Sequence, residues 1–402
     1  MLRQQAISIA ATLALAIGAA HAQISDGVIK IGVMNDQSGT YADLAGPGSV
    51  VAARMAVEDF GAAKKGLKVE ILVADHQNKP EVGSSIARQW FDVDKVDAIL
   101  DVPTSSVVLA VNQIAREKNK VLIVSTGATV DLTGKACSPN AIHWTYDTWS
   151  LANGTGTAVV KSGGNTWFFL TADYAFGHSL EQQTEAVVQK LGGKVVGKVR
   201  HPFPSADMAS FLLQAQASKA KIIGLANAGA DTINAIKQGA EFGIVKGGQQ
   251  FAGLLVFLTD VHSLGLNVSQ GLLLTESFYW DLNDRTRAFS KRFAQRHKGA
   301  MPTMGQAGVY SGVLHYLKAI EALKSDTGDK VVAKMKELPT DDPVFGKGRV
   351  RQDGRKIHDM YLFEVKKPAE SKGAWDYYKL RATIPAEQAF RPEKDGGCSL
   401  VK

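Results

Sequence analysis

Twice along this chain, β-rich runs alternate with runs of helical period, and no other feature limits the fold as strongly. Val28–Met34 (VIKIGVM), LKVEILVAD from Leu67, VDAILDVP from Val96 and KVLIVST from Lys120 read as strands. Between the first two lies GSVVAARMAVEDF, where Val50, Ala53, Val57 and Phe60 recur on one helical face. Helices also fit Glu81–Asp92 and SSVVLAVNQIAREK. The pattern restarts at NTWFFLTAD from Asn165, followed by a helix ending near Gly192, then KVVGKV, AKIIGLANAG and QFAGLLVFL as strands. Such alternation builds mostly parallel, doubly wound sheets, so the expected fold is α/β with two lobes.

The remaining C-terminal segments are too few for a third lobe. After the strand GLLLTES from Gly271 come helices to about His297, from Pro302 to Leu323 and from Asp329 to Leu338. RVRQDGRK then reads as a hairpin around Asp353-Gly354, with HDMYLFEV after it. Sending the long helices back to the first lobe and the last strands to the second gives lobe 1 as 24–146 and 278–347, and lobe 2 as 147–277 and 348–402. The three crossings then fall near Tyr146–Thr148, Glu276–Phe278 and Phe345–Val350. Ligands of open α/β sheets sit beyond the carboxyl ends of the strands, which here means the cleft between the lobes.

The N-terminus carries an address. Arg3 precedes an apolar run from Ala6 to Ala20, and Ala20-His21-Ala22 offers a small-residue cut before Gln23. This is the layout of a secretory signal peptide spanning 1–22, cleaved after Ala22. No stretch reaches the roughly 20 apolar residues of a membrane span, so no membrane insertion of the mature chain is expected. The 46 Lys+Arg and 39 Asp+Glu are scattered without long like-charge runs, which argues for a solvated basic surface and against a nucleic-acid partner. Export makes Cys137 and Cys398 either one disulfide tying the tail to a mid-chain loop or two separate thiols.

Enzyme signatures with a fixed spacing are missing: no P-loop, H-E-x-x-H, G-x-S-x-G or G-x-G-x-x-G follows a strand, and nine histidines lack metal-ligand spacing. The chain therefore reads as a non-enzyme without metal or cofactor. Binding residues fare better. Thr104-Ser105-Ser106 opens a helix after one strand, and Gly127-Ala128-Thr129 follows the next. Hydroxyls and free N–H groups at a helix N-terminus favour an anion, although Ser and Thr there also serve as plain N-caps. His76 in DHQNKP and Asp36 in MNDQSG read as edge or surface residues.

From Val28 to about Val365 the sequence resembles the leucine/isoleucine/valine-binding-protein-like periplasmic receptors of ABC importers, the type I periplasmic-binding fold. The resemblance rests on IGVMNDQSGTYADLAGPG, DHQNKPEVG, VPTSSVVLAV, VSTGATVDLTG, TADYAFG and PTMGQAGVYSGV in family order. It implies that Ser105, Ser106, Ala128 and Thr129, with Gly127 before them, hold a ligand carboxylate. It also implies that Phe176 closes from the second lobe, with Tyr174 and Asp173 beside it. A periplasmic monomer would then deliver its ligand to an inner-membrane ABC permease with its ATPases.

Two departures shape the ligand expectation. Where the family's second-lobe carboxylate meets a ligand ammonium, the strand alignment offers Leu258, Thr259 or Asp260 and no glutamate. A buried ammonium without its partner costs roughly 3–5 kcal/mol. The family aromatic after AKIIGLAN is replaced by Asn227, Ala228 and Gly229, which leaves room. Tyr41, Phe257, Phe278, Tyr279 and Trp280 supply aromatic faces near the hinge. The expected ligand is a small organic anion with an aromatic or bulky apolar body. The alternatives are an amino acid or amide bound through Asp260, and an exported enzyme.

Overall fold

The computed structural model describes residues 24–402, and the expected signal peptide lies outside the described residues. The first lobe holds β1 (Ile29–Asn35), β2 (Val69–Asp75), β3 (Ala98–Asp101), β4 (Val121–Val124) and β5 (Ala141–His143). All pairs are parallel, in the order β2-β1-β3-β4-β5. β3 and β4 are buried along their whole length, which is why each reads as an apolar run without alternation. The connections are α1 (Gly46–Phe60), α2 (Pro80–Asp92) and α3 (Ser105–Glu117). At Gly32 in β1 a Cβ would stand 2.2 Å from the Trp90 ring, so α2 packs this closely only over a glycine.

The second lobe begins with α4 (Thr148–Leu151) and α5 (Thr157–Lys161), joined by a π-helical stretch over Ala152–Gly156. β6 (Thr166–Ala172), α6 (Ala175–Lys190), β7 (Lys194–His201), α7 (Ala209–Ala217), β8 (Ile222–Ala226), α8 (Ala230–Glu241) and β9 (Gln250–Gly253) follow. Their sheet is parallel in the order β7-β6-β8-β9. The predicted strand QFAGLLVFL is thus cut short. At Gly253, where a Cβ would meet Val256 at 2.4 Å, the chain turns, and α9 (Leu258–Leu264) and α10 (Leu266–Ser269) take over. A continuous apolar run fits a buried strand and a buried turn equally well, so its pattern hides the bend.

β10 (Leu273–Glu276) ends this passage, and α11 (Asp284–Arg296), α12 (Met304–Leu323) and α13 (Gly328–Glu337) return to the first lobe. α12 lies against α1 and is buried almost all round. β11 (Thr340–Asp342), β12 (Gly346–Val350) and β13 (Lys356–Ile357) form an antiparallel ribbon, and a backbone bridge from Arg355 to His143 seats it on the edge of the first sheet. The ribbon therefore stays with the first lobe. The third crossing moves from the expected Phe345–Val350 to His358–Asp359, where His358 Nε2 bonds the Thr145 carbonyl of the first crossing at 2.7 Å.

β14 (Met360–Val365) and β15 (Tyr378–Ile384) then pair antiparallel beside β10. After α14 (Ala386–Ala389) the tail goes back to the first lobe. There Arg391 donates to the Val130 and Thr133 carbonyls, and Cys398 is bonded to Cys137. The stretch 348–402, expected wholly in the second lobe, is divided: β14 and β15 pack there, and the ribbon and tail do not.

Candidate ligand-binding cleft

The floor of the cleft is set where β3 ends. Asp101 and Val102 both adopt left-handed backbone (φ 84° and 52°), a costly conformation for a β-branched residue. The turn delivers Pro103 and the start of α3 to the cleft. The buried Asp101 carboxylate accepts from Asn35 Nδ2 at 2.9 Å and Thr126 Oγ1 at 2.5 Å, tying the ends of β1, β3 and β4 together. Burial raises its pKa, against the lowering effect of the side chains that donate to it.

No side chain caps α3: the Thr104 hydroxyl donates to Asn78 Oδ1 instead. The first-turn N–H groups of α3, at the positive end of its dipole, thus stay free of a side-chain cap. Ser105 Oγ accepts from Thr129 N at 3.2 Å, which leaves its own hydroxyl hydrogen for a ligand. Ser106 is half-buried beside it. Gly127 packs so closely that a Cβ would lie 2.7 Å from the Val102 carbonyl oxygen, and Thr129 Oγ1 accepts from Asp131 N at 3.3 Å.

Asp36 and His76 are buried, not surface residues. Asp36 accepts from Gly39 N at 2.6 Å, Tyr41 N at 2.8 Å and Asn78 Nδ2 at 2.5 Å, and so shapes the loop that carries Tyr41. His76 Nδ1 accepts from Asn78 N at 3.0 Å, and burial pushes its pKa down to about 4, keeping the ring neutral.

The lobes meet over this floor. The Tyr41 and Tyr174 hydroxyls are 2.5 Å apart, and both rings stack on Phe203 with centroids 5.3 and 4.4 Å away. Ala230 N donates to Thr40 O at 3.3 Å; at the neighbouring Gly229 (φ 58°) a Cβ would stand 2.4 Å from that same oxygen. The two lobes thus close on a small cleft that admits about 10 Å³ of water-accessible space. Of the expected site residues, Tyr41, Ala128, Tyr174 and Phe176 line it, together with Phe257, while Ser105, Ser106, Gly127 and Thr129 do not. Sequence reasoning passed over Leu44, Pro103, Thr126, Tyr146 and Leu255, which with Ala228 complete the wall. Small apolar residues carry no chemical signature, and only the early end of β9 turns Leu255 inward.

Three expected residues face elsewhere. Asn227 donates to His201 Nε2 and accepts from Thr232 Oγ1. Asp260 Oδ2 accepts from Phe257 N at 2.9 Å and caps α9, with burial pushing its pKa up to about 7. The Tyr279 hydroxyl is held by Trp375 O and the N–H groups of Tyr377 and Tyr378, inside the second lobe's antiparallel sheet region. None of the three lines the cavity.

The profile of the family described as periplasmic binding protein matches residues 28–374. The chain belongs to the periplasmic binding proteins of ABC transporters. Within them it is Leu/Ile/Val-binding-protein-like. It is 51% identical to a periplasmic binding protein from Burkholderia mallei, with a TM-score of 0.91 over 94% of this chain and all of that one. A branched-chain amino acid ABC transporter periplasmic ligand-binding protein from Burkholderia xenovorans LB400 is 43% identical, with a TM-score of 0.82 over 93% of this chain and all of that one. A solute-binding protein from R. palustris solved with benzoate shares the fold at 20% identity, with a TM-score of 0.80 over 93% of this chain and all of that one.

Family membership places this binding protein in the periplasm, as the receptor of a membrane transporter. Among the described residues no helix is long and apolar enough to cross a membrane, and no cluster of His, Cys, Asp and Glu is arranged for a metal ion. The second-lobe wall of its cleft is apolar at Ala228, Leu255 and Phe257, and among the described residues no charged side chain lines the cavity.

Proposed function

We propose that this receptor captures a small organic acid with an aromatic or bulky apolar body and delivers it, as a periplasmic monomer cleaved after Ala22, to an inner-membrane permease. One observation carries the reading. The cavity opens at Pro103, beside the uncapped N-terminus of α3, and has a wall of rings and aliphatic groups with no carboxylate to pair a ligand ammonium. The ligand docks on Ser105, Ser106, Ala128 and Thr129. Tyr174 and Phe176 then close over it as the second lobe turns about the three connections. No step breaks a covalent bond, so the protein acts as a carrier and not an enzyme.

A branched-chain amino acid is the second reading, favoured by the description of the 43% identical relative. Isothermal titration with benzoate and with leucine, on protein refolded free of bound solute, separates the two. Benzoate is expected to bind and leucine to bind at least tenfold more weakly; the reverse order refutes the proposal.

A further inference from the structure

We infer that the C-terminal tail belongs to the binding machinery: residues 390–398 hold the loop after β4 in place, and Arg391 is a positioning residue for the ligand. This rests on the reading that the ligand docks on Ala128 and Thr129.

The loop after β4 has one helical turn, the four residues Val130–Thr133, and is otherwise held by distant chain. The carbonyl of Ala128, which lines the cleft, accepts from Thr148 N at 2.9 Å, and Val130 N donates to Thr148 Oγ1 at 3.2 Å. The first crossing thus holds the loop through these two groups. The Val130 carbonyl, besides taking the Thr133 hydroxyl at 3.4 Å, accepts from Arg391 Nη2 at 3.3 Å. The same nitrogen donates to the Thr133 carbonyl at 3.4 Å. One half-buried guanidinium therefore spans the helical turn that follows the ligand-docking residues.

The tail is itself fixed. Arg391 O accepts from Arg351 Nη1 at 2.9 Å, Glu393 Oε1 accepts from Asp353 N at 3.1 Å, and Cys398 is bonded to Cys137 just beyond the loop. Backbone also packs on backbone. A Cβ at Gly134 would stand 2.7 Å from the Gly396 carbonyl oxygen, and one at Gly396 would stand 2.8 Å from that of Thr133. Only glycine on both sides lets the two chains come this near.

A second route reaches the cleft through the hinge. Phe390 is buried with its ring 4.4 Å from the Arg355 guanidinium carbon, and Arg355 Nη1 donates to the Tyr146 carbonyl at 3.2 Å. Tyr146, like Ala128, lines the cleft. The tail thus stands one residue removed from two parts of the wall. A loop that must be ordered when the ligand arrives lowers affinity, and one held in advance does not.

The test compares the wild type with Arg391→Met and Arg391→Lys. Arg349→Met is the control, because it cuts the exposed Arg349–Glu387 pair ahead of the tail and leaves the loop's contacts alone. Benzoate and leucine are titrated calorimetrically well below each melting temperature, and amide hydrogen exchange is followed over residues 126–136 without added solute. Arg391→Met is expected to weaken whichever solute the wild type binds by roughly three- to tenfold, the factor of about one net hydrogen bond. It should also speed exchange in the loop while the β6–β9 sheet exchanges as before. Arg391→Lys, whose single ammonium replaces the single nitrogen that serves both carbonyls, should recover most of the affinity. Unchanged affinity or unchanged loop exchange in Arg391→Met overturns the inference, as does a loss that Arg349→Met shares or that Arg391→Lys fails to recover. A wild type that binds leucine and not benzoate refutes the aryl-acid reading alone, since the same loop is then tested with leucine. If it binds neither, the exchange comparison decides the tail's role.

Discussion

Replacing Lys356 with methionine should stabilise this protein. Lys356 sits fully buried in β13, where its ammonium has no hydrogen-bond acceptor among the described residues. Two rings face it, Phe345 with its centroid at 4.5 Å and Trp144 at 5.2 Å. Burial pushes its pKa from the ordinary 10.5 down to about 8, with Asp342 opposing that fall and Arg355 adding to it. Keeping the charged form inside the fold therefore costs about 3 kcal/mol at neutral pH. The two rings return about 1 kcal/mol of this through cation–π attraction. Methionine keeps the length and makes sulfur–aromatic contacts, so Lys356→Met should gain about 2 kcal/mol at pH 7. At this chain length that raises the midpoint by roughly 2–4 °C.

The sign of the pH dependence is set by the lowered pKa. Between pH 8 and 10.5 the unfolded chain holds a proton on Lys356 that the folded chain has lost, so wild-type stability gains from this group as pH rises. The advantage of Lys356→Met should be full below pH 8 and shrink through that window. Thermal melts of both proteins at pH 7, 8.5 and 10 measure it. A variant less stable than wild type at pH 7, with a gap that does not change with pH, would refute the reasoning by showing that the ammonium is well paired.

Other groups give further expected outcomes. Asp231, buried at the start of α8 with Oδ1 accepting from Ser205 N and Oδ2 3.7 Å from His201 Nδ1, has its pKa pushed up to about 7 by burial. Asp231→Asn should raise stability at pH 8, by up to about 4 kcal/mol, and the gap should close as pH falls from 7 toward 4; melts across that range check it. Leu255→Glu puts a carboxylate into the apolar wall and should weaken benzoate at least tenfold in calorimetric titration while improving leucine. Removing the Cys137–Cys398 link, which spans 261 residues, by Cys137→Ser with Cys398→Ser should cost about 2–4 kcal/mol, read as a lower melting temperature that no longer responds to reductant.

The sequence determined the α/β class and the two lobes, and it points to an anion site after β3 and β4. These rest on local patterns: apolar runs of strand length, helical periodicity, and hydroxyl residues directly after β3 and β4, where strand ends must face the cleft. What it left undecided depends on where the backbone bends. An unbroken apolar run such as Ala252–Leu258 does not say where its strand stops, so the second-lobe wall was expected at Leu258–Asp260 and lies at Leu255 and Phe257. Asp260 and Asn227 looked free in one dimension, yet each is consumed by a partner, a backbone N–H or a buried histidine, that only folding brings near. Nor did any local pattern show that Arg355 joins the edge of the first sheet and keeps the ribbon and tail with the first lobe. Periodicity reports which face of an element is buried. Which partner a buried polar group finds is set by distant chain, and in this receptor those partners decide which residues remain for the ligand.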